Sequence, residues 1–354
     1  MKRCAVGVSE GFVAVKYLFV GTLMVALACT SSGESASDAG PSLPAAHPLD
    51  DVLLTSQLQA LGSHNSYHIE PPGNTLDDWR YTHLPLDRQL DEQGLRKFEL
   101  DIYYDHERQV FEVFHIGILD AVSNCPTLRD CLTTMKGWSD THRGHHPVFV
   151  MIEPKTNFNE EFAEAMLDQL DAVVREVLDD GRHVTPAEVQ GDFESLREAV
   201  MTQGWPTLAQ TRGRFVLWMD SWGEWGRRYS RNRTDLSHRP IFAVSEPSDP
   251  IAAITNYNNP LSSADQIRAA VEQGLIVRTR GDDALVGLAG DDTQLKAALA
   301  SGAQLISTDF PAPAFGVDYH ASIPGGTPSR CNPLTAPAEC TSESIEDPRR
   351  LAGD

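Results

Sequence analysis

Between residues 51 and 311, short apolar runs alternate with amphipathic segments. Runs at Leu58–Leu61, Leu95–Ile102, Val110–His115, Pro147–Ile152, Arg214–Met219, Pro240–Val244, Leu275–Thr279 and Gln304–Thr308 predict eight strands. Most are continuously apolar, as buried parallel strands require. Between them, Asn159–Leu178 carries Phe162, Met166, Leu170, Val173, Val174 and Val177 on one helical stripe. Further helices are predicted at Leu86–Gln93, Thr127–Trp138, Phe193–Gln203, Ser263–Gln273 and Thr293–Ser301. Eight strands interleaved with helices predict a single-domain α/β fold, a (β/α)8 TIM barrel. An open doubly wound sheet is the alternative, but no Gly-rich phosphate loop follows any strand.

Four apolar runs are broken by polar chemistry at or near their carboxyl ends. Leu61-Gly62-Ser63-His64-Asn65-Ser66-Tyr67-His68 ends the first. Phe98-Glu99-Leu100-Asp101-Ile102 sets two carboxylates inside the second, Phe114-His115-Ile116 a histidine in the third, and Ile152-Glu153-Pro154-Lys155 an acid and a base after the fourth. In a barrel, catalytic groups collect at the carboxyl ends of the strands. The seventh strand contributes Arg278 and Arg280 on one face, and Asp309 ends the last, where it either orients Arg280 or caps the next segment.

Glu99 and Asp101 are two apart on a strand and so point to one side. Two carboxylates that close repel, and burying both without compensation costs several kcal/mol. Either they pair with Lys97, Arg96 or Arg280, or a divalent cation lies between them. Asn65 and Glu153, at equivalent strand ends, supply two further oxygens and favour the cation. An all-oxygen set suits one calcium ion, and magnesium less well. His64 and His115 are the candidate acid and base. Two imidazoles on opposite sides of a phosphodiester abstract one proton and deliver another near neutral pH. Lys155, Arg278 and Arg280 are candidate phosphate ligands. His68 reads as a loop residue, and His142, His145 and His146 fall before the fourth strand, at the wrong end of a barrel. Trp218, Trp222 and Trp225 either rim the pocket or pack beneath a loop.

The totals narrow the partners. The chain of 354 residues carries 29 Lys and Arg against 50 Asp and Glu, a net −21, which argues against nucleic acid. Residues 1–28 read as an export signal, with Lys2, Arg3 and Lys16 ahead of an apolar run too short to span a bilayer. Ala26-Leu27-Ala28-Cys29 is either a cleavage site or a lipoprotein signal with Cys29 lipidated. The Ser-, Ala-, Gly- and Pro-rich stretch that follows predicts a flexible linker over 29–50. The barrel is then expected at 51–317 and a disulfide-pinned extension at 318–354. Locality pairs Cys125 with Cys131 and Cys331 with Cys340, as suits an oxidising compartment.

Ser63-His64-Asn65-Ser66-Tyr67, Phe98-Glu99-Leu100-Asp101, Phe114-His115 and Ile152-Glu153 together resemble the signature segments of phosphatidylinositol-specific phospholipase C barrels. The secreted, calcium-dependent bacterial branch is the most similar, with Ile276-Val277-Arg278-Thr279-Arg280 and Ile306-Ser307-Thr308-Asp309 adding to the likeness. The resemblance implies that Asn65, Glu99, Asp101 and Glu153 hold calcium. It implies that an inositol hydroxyl attacks phosphorus, giving diacylglycerol and a cyclic inositol phosphate, with His64 and His115 as acid–base groups. The expected partners are a phosphoinositide or related phosphodiester, and a membrane surface touched transiently or through lipidated Cys29. A monomer exported to the bacterial envelope or beyond is expected. A glycerophosphodiester phosphodiesterase is the rival, but its His-Arg-Gly belongs on the first strand, whereas His142-Arg143-Gly144 lies before the fourth. A catalytically silent barrel that binds lipid or sugar phosphate is the other alternative.

Overall fold

The fold was taken from a computed structural model, which describes residues 47–352 apart from 158, 180, 221, 232 and 327. The expected signal at 1–28 and most of the expected linker lie outside the described residues. The strands are β1 (Leu58–Ser63), β2 (Lys97–Asp105), β3 (Val110–Val113), β4 (Val148–Pro154), β5 (Phe215–Met219), β6 (Phe242–Ala243), β7 (Ile254–Tyr257), β8 (Ile276–Arg280), β9 (Leu305–Thr308) and β10 (Ser329–Cys331). Eight of them run parallel in the order β6-β5-β4-β2-β1-β9-β8-β7, with helices between. A parallel bridge between Val244 and Ile254 closes the ring. The fold is the expected (β/α)8 barrel.

One member of the ring differs from the sequence reading. Val110–Val113 is a strand, but it folds back antiparallel onto the upper half of β2, pairing Ile102 with Val113 and Asp105 with Val110. The place in the barrel is taken by Ile254–Tyr257, which pairs with β8. His115 therefore does not end a barrel strand. It is delivered from the side, on the loop after the returning hairpin.

The alternation of β2 sets the interior chemistry. Phe98, Leu100 and Ile102 are buried in the apolar core, while Lys97, Glu99 and Asp101 share the opposite face and are equally buried. Glycine is required at position 62, where an added Cβ would lie 2.2 Å from the Lys97 carbonyl oxygen. That close approach lets β1 pair with β2 at Gly62 and Lys97.

The chain from Ser329 onward packs against the amino-terminal ends of the barrel strands. β10 pairs antiparallel with β1. Glu346 is buried against the Arg96 guanidinium, and accepts the His146 backbone N–H at 3.0 Å. His145 and His146 are fully buried at this end, bonded to Ser139 and Ser329. Both cysteine pairs, Cys125–Cys131 and Cys331–Cys340, are disulfides. Among the described residues no helix is long and apolar enough to cross a membrane.

Candidate active site

At the end of β1 the backbone of Asn65 enters the left-handed region, φ +43°, which Asn adopts more readily than most residues. The turn is pinned to β2 twice. Ser66 N–H donates to the Glu99 carbonyl at 3.0 Å, and Glu99 N–H donates to Ser66 Oγ at 2.8 Å. His64 and Asn65 are thereby held over the interior column of β2.

His64 Nδ1 lies 2.7 Å from Asp309 Oδ1, at the end of β9, and its Nε2 lies 3.6 Å from Glu99 Oε1. Burial lowers the His64 pKa, outweighing the pull of Asp309 in the other direction. Asp309 itself is held below its ordinary range despite burial, because His64 and Arg280 stand beside it. The sequence left Asp309 between two roles. It is the aspartate of His64, with the Arg280 guanidinium at 3.5 Å from its other oxygen.

His115 has the same arrangement. Its Nδ1 lies 2.9 Å from Oδ2 of Asp120, which is fully buried. His68 reaches that same oxygen at 3.1 Å. His68 is a loop residue, as expected, but a completely buried one, with its ring 4.2 Å from that of Tyr81. The Tyr81 hydroxyl accepts from Asn65 Nδ2 at 3.3 Å, so the surroundings of the two catalytic candidates form one connected network. Asp120 falls below its usual pKa although burial opposes it, through hydrogen bonds from His115 and His68. The sequence reading missed Asp120. Its only signal was an acid standing alone in an apolar loop.

Glu99, Asp101 and Glu153 offer oxygens that lie within 4.8 Å of one another. Register explains the grouping, since Asp101 and Glu153 are direct partners across β2 and β4. Their environments differ sharply. Glu99 Oε2 accepts from Lys97 Nζ at 2.7 Å and from Arg278 Nη2 at 2.8 Å. Burial would raise its pKa, but Arg278 and Lys97 hold it well below the usual range. Asp101 is fully buried, and neither of its oxygens has a hydrogen-bond partner among the described residues. Its pKa is pushed well up by burial, with Lys155 opposing and Glu153 adding to the rise. An orphaned, buried carboxylate between two others is what a hard cation would satisfy. The donor set of Glu99, Asp101 and Glu153 fits calcium.

The cations divide. Arg278 is buried and fully engaged by Glu99, Ser307 and Asn258. Lys97, with its pKa lowered to about 8 by burial, shares Ser307 with it. Lys155 is 28% exposed and sits 2.5 Å from Glu153 and 3.4 Å from Asp101. The charges of Asp101 and Glu153 raise its pKa in spite of partial burial. Asp220, one residue past β5, joins the acidic end with its pKa raised by burial to about 6. Of the tryptophans, Trp218 and Trp225 are buried and Trp222 is half exposed. A cavity of about 680 Å³ adjoins the site at Tyr81 and Asp309, walled by Arg80 and the loop from Phe310 to Val317. The carboxylate cluster is not part of that wall.

Comparison with known proteins identifies the family. Residues 53–112 and 106–333 match the family described as phosphoinositide phospholipase C, Ca2+-dependent. A calcium-dependent phosphoinositol-specific phospholipase C from Pseudomonas sp is similar in fold, with a TM-score of 0.58 and 20% identity over 76% of this chain and 95% of that one. A calcium-dependent phosphatidylinositol-specific phospholipase C from Streptomyces antibioticus gives 0.55 and 19%, over 73% and 95%. No curated protein sequence matches the chain.

Proposed function

The chain belongs to the calcium-dependent phosphoinositide phospholipase C family and is a phosphodiesterase, and we propose that it cleaves phosphatidylinositol to diacylglycerol and a cyclic inositol phosphate. The observation that carries this reading is two imidazoles, each anchored through Nδ1 on a buried aspartate, in the network around three clustered carboxylates. Asn65, Glu99, Asp101 and Glu153 would hold the calcium ion. When bound, calcium supplies charge neutralisation at the phosphate and a lowered pKa for the attacking hydroxyl.

The chain's own groups move the protons. His64 presents Nε2 on the Glu99 side, where hydroxyl and phosphate gather, and takes the proton of the inositol hydroxyl as its oxygen bonds to phosphorus. The bond from phosphorus to the glycerol oxygen breaks. That oxygen takes a proton from Nε2–H of His115, and diacylglycerol leaves. Asp309 and Asp120 fix the tautomers by accepting from Nδ1–H. Arg280 and Lys155 are partly exposed and would be the phosphate ligands, whereas Arg278 is committed to Glu99.

The substrate would be met at a lipid surface. Residues 116–120 form a tight turn closed by two backbone hydrogen bonds between Ile116 and Asp120, at 3.0 and 2.8 Å. Its tip is fully exposed at Ile118, largely so at Leu119, and Val122 follows. The segment carries no charge except buried Asp120, so an acidic protein would approach the bilayer here without electrostatic help. Export fits the two disulfides.

The test is release of water-soluble inositol phosphate from phosphatidylinositol vesicles, with calcium and then with excess chelator. Calcium-dependent release supports the reading. Turnover of glycerophosphodiesters alone would point to a glycerophosphodiester phosphodiesterase. Calcium binding without turnover would leave a binding barrel.

A further inference from the structure

Three carboxylates close together need positive charge, and the barrel supplies it from two directions. Glu99 is answered from within by Lys97 and Arg278. Both are almost completely buried, and both donate to Ser307, at 2.7 and 2.9 Å. Neither has anywhere to go. Asp101 and Glu153 are answered instead by Lys155, whose ammonium lies 3.4 and 2.5 Å from them. Lys155 differs from the other two cations in one respect that matters. Its side chain is 28% exposed at the mouth of the site, on a flexible four-carbon stem.

The ammonium therefore sits against two of the carboxylates that a divalent cation would use. An ammonium and a dication drawn to the same two carboxylates compete for them, because their mutual repulsion grows as water is excluded. Asp101 adds to the conflict. It is fully buried, with the Tyr67 hydroxyl nearby but no well-formed hydrogen bond, so the 3.4 Å contact with Lys155 leaves it poorly satisfied.

We propose that Lys155 is a displaceable internal cation: its ammonium holds Asp101 and Glu153 until a divalent cation takes them, and is then released outward to the phosphate. The inference rests on the calcium reading of the same cluster. Lys155 then has two linked effects. It weakens calcium binding by competition, and it presents a phosphate-binding charge only once the metal is in place. Binding of metal and binding of the anionic substrate are coupled through one side chain.

The test uses the full-length protein and calcium alone. In the unmodified protein, brief acylation of lysines with an amine-reactive ester is read by peptide mass mapping before and after calcium. Lys296, whose side chain is 71% exposed, serves as the internal reference. Labelling of Lys155 relative to Lys296 is expected to rise several-fold with calcium, and no rise overturns the proposal. Calorimetric calcium titration of Lys155→Met is expected to show affinity about tenfold tighter or more than the parent, with Lys155→Arg near the parent value. Equal or weaker binding by Lys155→Met overturns the proposal while leaving the calcium site standing. Absence of calcium binding by both parent and Lys155→Met would instead overturn the calcium reading, and this inference with it.

Discussion

His64 Nδ1 lies 2.7 Å from Asp309 Oδ1, and the backbone N–H of Asp309 donates at 2.7 Å to Asp282 Oδ1. The imidazole is thus aimed by an aspartate that is itself fixed by a second, fully buried aspartate, which also accepts from Thr308 and Tyr319. Replacing Asp309 with Asn keeps the shape but offers His64 an amide in place of a charged acceptor. Catalytic turnover of Asp309→Asn is expected to fall roughly 10²- to 10⁴-fold with KM little changed. Steady-state rates on phosphatidylinositol vesicles check it. A loss confined to KM would mean that Asp309 serves binding alone.

The two histidines separate by leaving group. If His115 protonates the departing glycerol oxygen, an activated ester such as a nitrophenyl inositol phosphate needs no such help. The His115→Ala deficit should shrink at least about tenfold on that substrate relative to the lipid, whereas the His64→Ala deficit should stay nearly the same. The reverse pattern would exchange the two roles.

Much of this was legible because the barrel writes itself twice, in apolar runs and in the polar residues that end them. Glu99, Asp101, Glu153 and His64 stood out as polar groups in positions a core would fill with carbon. What the runs do not encode is direction or membership. Val110–Val113 has the composition of a barrel strand yet returns antiparallel, while Ile254-Thr255-Asn256-Tyr257 is half polar and lacks the apolar run that marks the others. Lys97 lies inside a predicted strand, where ion pairing with Glu99 and a metal between the carboxylates were alternatives. The fold shows it buried inside the barrel and bonded to Glu99, with Arg278 as a second cation the local pattern did not pair with that acid. Asp120 and His68 are tertiary pairings between separate loops, and no local pattern announces them.

Two buried histidines make the fold sensitive to acid. His83 donates Nε2–H to the His64 carbonyl at 2.8 Å, and burial lowers its pKa to about 4. His145, bonded to Ser139, is lowered by burial to about 3. An unfolded histidine takes its proton near 6.5. Between pH 6.5 and about 4 the unfolded chain therefore binds more protons than the folded one, so stability is lost as pH falls through that window. For His83 alone the full effect is on the order of 3 kcal/mol. Asp282, raised by burial to about 7, works in the opposite sense between pH 3.8 and 7. The parent-minus-variant difference isolates the histidine. Urea unfolding of His83→Gln from pH 7 to pH 4 should show a shallower loss than the parent. Parallel curves would mean that His83 does not titrate in this way.

Ile118 is a β-branched residue with φ +56°, fully exposed at the tip of the 116–120 turn. The left-handed region costs such a residue on the order of 1 kcal/mol, and no packing offsets it, because the side chain touches solvent. Stability alone would favour glycine there. If the turn enters lipid, the isoleucine is retained for what it does outside the protein, since burying an aliphatic side chain of this size is worth roughly 1.5–3 kcal/mol. Ile118→Gly should therefore raise resistance to unfolding by about 1 kcal/mol while lowering binding to zwitterionic vesicles roughly tenfold or more. Ile118→Glu should abolish vesicle binding, and both variants should keep full activity on a soluble, headgroup-only substrate. Sedimentation with phosphatidylcholine vesicles and denaturant melts, run side by side, read the two effects separately. Unchanged vesicle binding in both variants would move the lipid contact to another loop, and a parallel loss of activity on the soluble substrate would show that the turn acts through His115 and Asp120 instead.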